Sequence, residues 1–238
     1  LPVGDISLDN YFAAFRRAPV ALFVFNSVLV TLLTLAASLF LCSMAGFAFV
    51  FLSWRGQSVM LSIILATLIV PFETIAIPLL LVVSNLPSIG PAGFTMGWLN
   101  SYHVQIVPWI ADGLTIFLFV QYFKDLPRDL IEAARLDGAS WFQIYRRVIV
   151  PISGPVFATA AILKFLAMYN QYIWPLLVTR SPGVRTIQVA LAYFKDEHET
   201  FWSFIYAASS ISAVVPVLLF LPLQKYFVQG VTSSGLKG

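Results

Sequence analysis

The sequence predicts an all-α, polytopic membrane helix bundle, and three observations carry that prediction. Of 238 residues, 59% are hydrophobic and only 11% charged, against roughly 25% charged in soluble domains; mean hydropathy is +0.86. Five apolar runs approach or exceed the ~20 residues that a helix needs to cross a hydrocarbon core of about 30 Å. Between the third and fourth lies a charged amphipathic insert, residues 124–151, that lipid cannot hold.

Residues 1–19 read as an external N-terminal segment. The spans follow at about Val20–Leu52, Val59–Val83, Ile106–Phe123, Val148–Val178 and Phe204–Phe227, within a transmembrane domain over 20–228. The first and fourth exceed the bilayer thickness and should tilt or project beyond it. Prolines 71, 78, 108, 175, 216 and 222 sit within or at the ends of spans, where neighbouring helices can satisfy the carbonyls that proline frees. The uncharged connection Ser84–Gln105 reads either as an external loop or as a short re-entrant or interfacial element. Residues 229–238 form a tail. A start at Leu1 rather than Met leads to the expectation of one further upstream span, six in all.

Orientation follows from Lys and Arg. With residues 124–147 in the cytoplasm, Arg55, Lys124, Arg128, Arg135, Arg146, Arg147, Lys225 and Lys237 fall inside, and Arg16, Arg17, Arg180, Arg185 and Lys195 fall outside. Asp5, Asp9, Asp196, Glu197 and Glu199 offset the outer set. The net charge is +3, but the basic residues sit singly at span ends and form no phosphate track, which argues against a nucleic-acid partner. Cys42, the single cysteine, lies in an apolar run as a packing residue, so disulfides are excluded.

Within the insert, Pro127 suits a first helical turn, with Asp129 near the positive end of the dipole. The helix runs through Ala133 and Ala134, carries Arg135 near its end and stops at Gly138. Ser140 and Gln143 then form a capping box. Trp141, Tyr145 and Val148 share the next face, Arg146 and Arg147 mark the water boundary, and Pro151 precedes entry into lipid. Two short helices broken at Gly138 make an L-shaped projection, although an amphipathic linker lying on the membrane has the same residue pattern.

Glu132-Ala133-Ala134, three residues, Gly138, nine residues, then Val148-Ile149-Val150-Pro151 resembles the EAA signature of permease subunits from ABC importers. Val148 and Val150 stand where Ile and Leu are usual, and both keep the apolar face. Pro71-Phe72-Glu73 with Ile77-Pro78, Tyr169-Asn170-Gln171-Tyr172-Ile173-Trp174-Pro175 and the tail Gln224 to Gly238 resemble the carbohydrate branch, maltose-type G subunits included. The resemblance runs from about Asn26 onward. It implies the type I importer permease fold in a bacterial inner membrane. It implies a second permease subunit as heterodimer partner, two ATPase subunits and an extracytoplasmic solute-binding protein. It also implies coupling to the ATPase through Glu132, Ala133, Ala134, Asp137, Gly138, Ala139, Trp141, Tyr145, Arg146 and Pro151.

No cofactor is expected on this chain. It lacks a Gly-x-x-x-x-Gly-Lys-Ser/Thr phosphate loop, so ATP and Mg belong to the partner ATPase. Glu73, Asp112 and Lys164 lie within spans, where unpaired charge is unfavourable by about 2.5–3.5 kcal/mol; Lys164 can pair with either acid or snorkel to an interface. With Asn170, Gln171, Tyr172 and Trp174, the last a stacking face for a sugar, they are candidates for the translocation path, or else for helix packing. His103 and His198 read as interfacial, without metal-ligand companions; Ser209, Ser210 and Ser212 read as helix packing. Glycerol phosphate or another polyol is the alternative solute. An ion-coupled secondary transporter is the alternative class, but no internal repeat of the kind it would predict is visible.

Overall fold

The structure is a computed structural model that describes residues 9–90, 93–192 and 202–235. Helix α1 (Asp9–Arg17) is followed by α2 (Val20–Phe51), then by α3 (Gln57–Ala66), a 3-10 turn (Thr67–Ile69) and α4 (Phe72–Asn85). Strands β1 (Pro87–Gly90) and β2 (Gly93–Met96) form an antiparallel hairpin with Pro87 opposite Met96. Then come α5 (Tyr102–Ile106), a 3-10 turn (Val107–Trp109), α6 (Gly113–Lys124) and α7 (Asp129–Leu136). Helix α8 (Trp141–Ile144) continues through a π turn (Tyr145–Ile149) into α9 (Val150–Ile152). The chain ends in α10 (Gly154–Tyr169), α11 (Ile173–Val178), α12 (Ile187–Leu191) and α13 (Trp202–Gly235).

By length and composition, Val20–Phe51 and Tyr102–Lys124 are each able to cross a membrane. Two bent helix pairs also meet that criterion when taken together, each as a broken span or a re-entrant element: α3 with α4, bent by 107°, and Trp141–Ile152 with α10, bent by 80°. Ile205–Leu221 supplies a fifth apolar stretch. The bends correct two expected boundaries. The second span is not one rod: Val70, held extended before Pro71 (φ −78°, ψ 117°), separates α3 from α4. The fourth is not one rod either: it breaks at Ser153, between Ile152 and Gly154, where Pro151 and Pro155 each remove a helical N–H. Ser153 N–H turns to the Val150 carbonyl at 3.2 Å, and its Oγ donates to Ile149 O at 2.6 Å. The same span breaks again at 170–172.

The outer connection is also more ordered than a loop, holding the hairpin and α5. Helix α13 carries on beyond Val228 to Gly235, so most of the expected tail is helical. Asp5 and the run Lys195, Asp196, Glu197, His198 and Glu199 lie outside the described residues, as do 236–238.

The chain divides into two compact units. One comprises residues 1–33, 76–107 and 166–221. Polar side chains here bind the irregular backbone of 179–187, whose buried peptide groups need partners outside regular structure. Asn26 Nδ2 donates to Arg185 O at 2.9 Å and to Gly183 O at 3.1 Å, while Tyr102 Oη donates to Asn26 Oδ1 at 2.8 Å. Gln105 Nε2 donates to Val184 O at 2.9 Å, and Ser27 Oγ accepts from Ile187 N–H at 2.8 Å. The other unit comprises 34–75, 108–165 and 222–238. Its core joins Phe47, Phe119, Phe123, Ile131, Ile144, Ile149 and Val156. Gly46 lets α2 and α6 touch: a Cβ there would lie 2.7 Å from Phe119 Cβ.

Candidate functional site

The elbow of α7 and α8 is built by local rules. Arg128 O accepts the first backbone bonds of α7, from Ile131 and Glu132, and Asp129 and Glu132 occupy its first turn, where carboxylates favour the dipole. Helix α7 ends in a Schellman motif: Ala139 N–H reaches Ala134 O and Gly138 N–H reaches Arg135 O, both at 3.0 Å. Gly138 has φ 79°, the left-handed region where glycine meets no Cβ penalty. Ser140 then caps α8 with the full capping box: its Oγ accepts from Gln143 N–H at 3.4 Å, and its N–H donates to Gln143 Oε1 at 2.7 Å. The Arg135 guanidinium lies 4.6 Å above the Trp141 ring and also donates to Ala139 O, bracing the bend.

Not all ten coupling candidates face outward. Glu132, Ala133, Asp137, Gly138, Trp141, Arg146 and Pro151 are exposed, and Ala134 and Ala139 are half-buried. Tyr145 is buried at 5% exposure, so it cannot belong to a docking face. It is instead an anchor: its Oη and Ser43 Oγ are hydrogen-bonded at 2.7 Å, and its ring meets Phe47 edge-on at 5.6 Å. Trp141 meets the same Phe47 at 6.3 Å. The elbow is thereby fastened to the second half of α2. The π turn, which widens the helix by one residue, carries Tyr145 and Ile149 inward and Arg146 and Arg147 outward. Leu136 and Phe142 are left 89% and 54% exposed.

Of the ionisable residues in the spans, Lys164 and Asp112 meet in an ion pair of 2.6 Å. Asp112 also caps α6, its Oδ1 accepting from Thr115 N–H at 2.9 Å and Oδ2 from Thr115 Oγ1 at 2.8 Å. Glu73 is exposed in the first turn of α4, so Lys164 pairs with one of its two possible acids and not the other. In the unit containing 166–221, Asn170 lies in the break after α10 and lines a cavity of about 320 Å³ with Tyr169, Gln188, Ser209, Ser212 and Pro216. Gln188 Nε2 approaches Asn170 Oδ1 at 3.4 Å. Gln171 is half-buried and Tyr172 is 40% exposed.

Trp174 takes the packing alternative. It is 0% exposed, and its Nε1 donates to Val104 O at 2.9 Å, so it packs inside and presents no ring to a sugar. Gln188 was missed in the sequence because nothing local distinguishes it. Ser209 and Ser212, assigned to packing, line the cavity; Ser212 also bonds Tyr169 Oη at 3.1 Å.

The family model described as binding-protein-dependent transport system inner membrane component matches residues 38–233, most of the chain. The chain belongs to this family. This permease is 32% identical to the arabinooligosaccharides transport system permease protein AraQ of Halalkalibacterium halodurans, over 99% of its own length and 81% of that protein. It is 32% identical to the trehalose/maltose transport system permease protein MalG of Thermococcus litoralis, over 90% and 74%. The permease also shares its fold with a chain of a bacterial ABC transporter that imports the acidic polysaccharide alginate. The TM-score is 0.75 at 23% identity, covering 95% of this chain and 81% of that one. The expected all-α ABC permease fold is borne out, with the short hairpin as its one addition among the described residues.

Proposed function

We propose that this permease serves an ATP-driven importer of sugars or oligosaccharides in the bacterial inner membrane, as a multi-pass, non-catalytic subunit forming half of the translocation path. Its partners are a second permease, two ATPase subunits that use ATP and Mg, and an extracytoplasmic solute-binding protein. The elbow α7–α8 is the part the ATPase grips. The observation that carries this is the elbow itself: capped at its bend, tied through Tyr145 to α2 and leaving Leu136 and Phe142 bare. Apolar side chains exposed on a charged segment that lipid cannot hold suit a protein partner. A Leu136→Cys variant in the assembled transporter is expected to cross-link to the ATPase, with a yield that changes between the nucleotide-free and ATP-bound states. Cys42 is buried and would not compete. No cross-link in either state would refute the docking role.

The cavity at Asn170 supports a part for this chain in holding substrate. Its polar lining, Tyr169, Asn170, Gln188, Ser209 and Ser212, consists of neutral hydrogen-bonding groups without a cation, which suits sugar hydroxyls better than a phosphate ester. One lost hydrogen bond of about 1–1.5 kcal/mol corresponds to roughly five- to tenfold. Asn170→Ala and Gln188→Ala should each raise the substrate concentration for half-maximal uptake by about that factor and leave complex assembly intact. Unchanged uptake curves in both would place the substrate contacts on the partner permease.

A further inference from the structure

A second recess lies beside the elbow, in the unit that holds it, and the coupling reading does not use it. It has a volume of about 410 Å³ and is lined by the last turn of α2 and the residues after it, Phe49 to Ser53, with Gln57, Lys124 and Arg128. Lys124 ends α6 and Arg128 precedes α7. Both are exposed, and neither is ion-paired among the described residues. The neighbouring acids Asp125 and Asp129 are absent from the lining. A second recess of about 340 Å³ adjoins the first through Phe49 and Gln57 and is lined by Trp54, Ser58 and Leu61.

We propose that these adjoining recesses hold the headgroup of an anionic phospholipid, its phosphate between Lys124 and Arg128 and its glycerol backbone towards Trp54 and Leu61. Basic pockets between membrane helices on the cytoplasmic side suit phospholipid headgroups, and Trp is favoured at headgroup depth. The lining of the first recess also offers acceptors. The last carbonyls of a helix lack partners within it. In α2 one is taken, Phe49 O by Gln57 Nε2; those of Val50 and Phe51, residues that also line the recess, are the acceptors the proposal assigns to headgroup hydroxyls. A phosphate with hydroxyls attached therefore finds cations and carbonyl acceptors in the lining of one recess. A free phosphate uses only the cations of the first; the second recess, mixed in character with Trp54, Leu61, Gln57 and Ser58 in its lining, adds no cation for it.

The assembled transporter in nanodiscs with phosphatidylglycerol or phosphatidylcholine, released and weighed by native mass spectrometry, tests this. Retained phosphatidylglycerol is expected with wild type. Each cation contributes about fivefold, so Lys124→Gln with Arg128→Gln should lower retention about 25-fold, while Lys124→Arg with Arg128→Lys keeps it. Arg55→Gln removes a nearby positive charge outside the lining and should change little. Equal loss in Arg55→Gln would reduce the effect to general surface charge. Displacement of the lipid by millimolar inorganic phosphate would make the site a plain anion site. Undiminished retention in the double Gln variant would overturn the proposal outright.

Discussion

Gly138→Val is expected to leave the protein in the membrane and to abolish substrate uptake. The residue sits at φ 79°, where a side chain costs about 1–2 kcal/mol and a β-branched one more. An added Cβ would meet nothing within 4 Å, so the penalty is backbone strain and not collision. That strain acts on the Schellman motif that ends α7, and relief means opening the angle between α7 and α8. The core that Phe119 and Phe123 share with Ile131 and Ile144 holds both arms of the elbow, so the spans should stay folded while the angle between the arms changes. Gly138→Asn separates conformation from size, because Asn tolerates the left-handed region; it should retain most uptake. Glu132→Lys is the companion. Reversing a charge in an exposed first turn affects the helix by only about 0.3–1 kcal/mol, too little to unfold the elbow. A loss of uptake of tenfold or more there, with normal membrane level, would report a lost contact with the ATPase. Transport assays on the three variants decide it: normal uptake in Gly138→Val and Glu132→Lys together would remove the coupling role.

The elbow was legible in the sequence because everything that shapes it is local. Gly138, Ser140 and Gln143 act within a few residues of themselves, so their pattern foretells the bend, the cap and the helix ends. The bends in the second and fourth spans were only half legible. Pro71, Pro151 and Pro155 mark where a helix loses donors, but whether it kinks or breaks depends on what takes up the freed carbonyls, here Ser153 for one of them. Tyr145 and Trp174 show the sharper limit. Both are amphipathic aromatics beside motifs; the resemblance implied a coupling face for Tyr145, and Trp174 stood between a sugar-stacking face and helix packing. Their partners, Ser43 and Val104, lie 102 and 70 residues away, and only the fold reveals that they point inward. Gln188 is the converse, a polar residue with no local signature that tertiary packing brings to Asn170.

Lys164 gives the clearest energetic case. Its side chain is 7% exposed, with the ammonium 2.6 Å from Asp112 Oδ2, and the Asp112 side chain is 30% exposed. Removing one partner of a fully buried pair is destabilising by about 3–5 kcal/mol; the partial exposure of Asp112 brings the expected value to the lower end. Lys164→Met should therefore lower the thermal stability of the assembled transporter and its yield, with uptake falling at least in proportion. Asp112 would still accept from Thr115 and cap α6, so its charge would persist with nothing opposite it. Asp112→Asn keeps the cap oxygen for Thr115 N–H and removes the charge. The double variant Asp112→Asn, Lys164→Met should then recover most of the stability, since a neutral pair leaves no ion behind. The coupling energy in such a cycle, about 2–3 kcal/mol, measures the pair directly. Uptake tells the two roles apart. If the double variant regains both stability and uptake, the pair holds α6 to α10 and carries no solute. If stability returns and uptake does not, the charges serve the path itself. A silent Lys164→Met would mean that neither role is real.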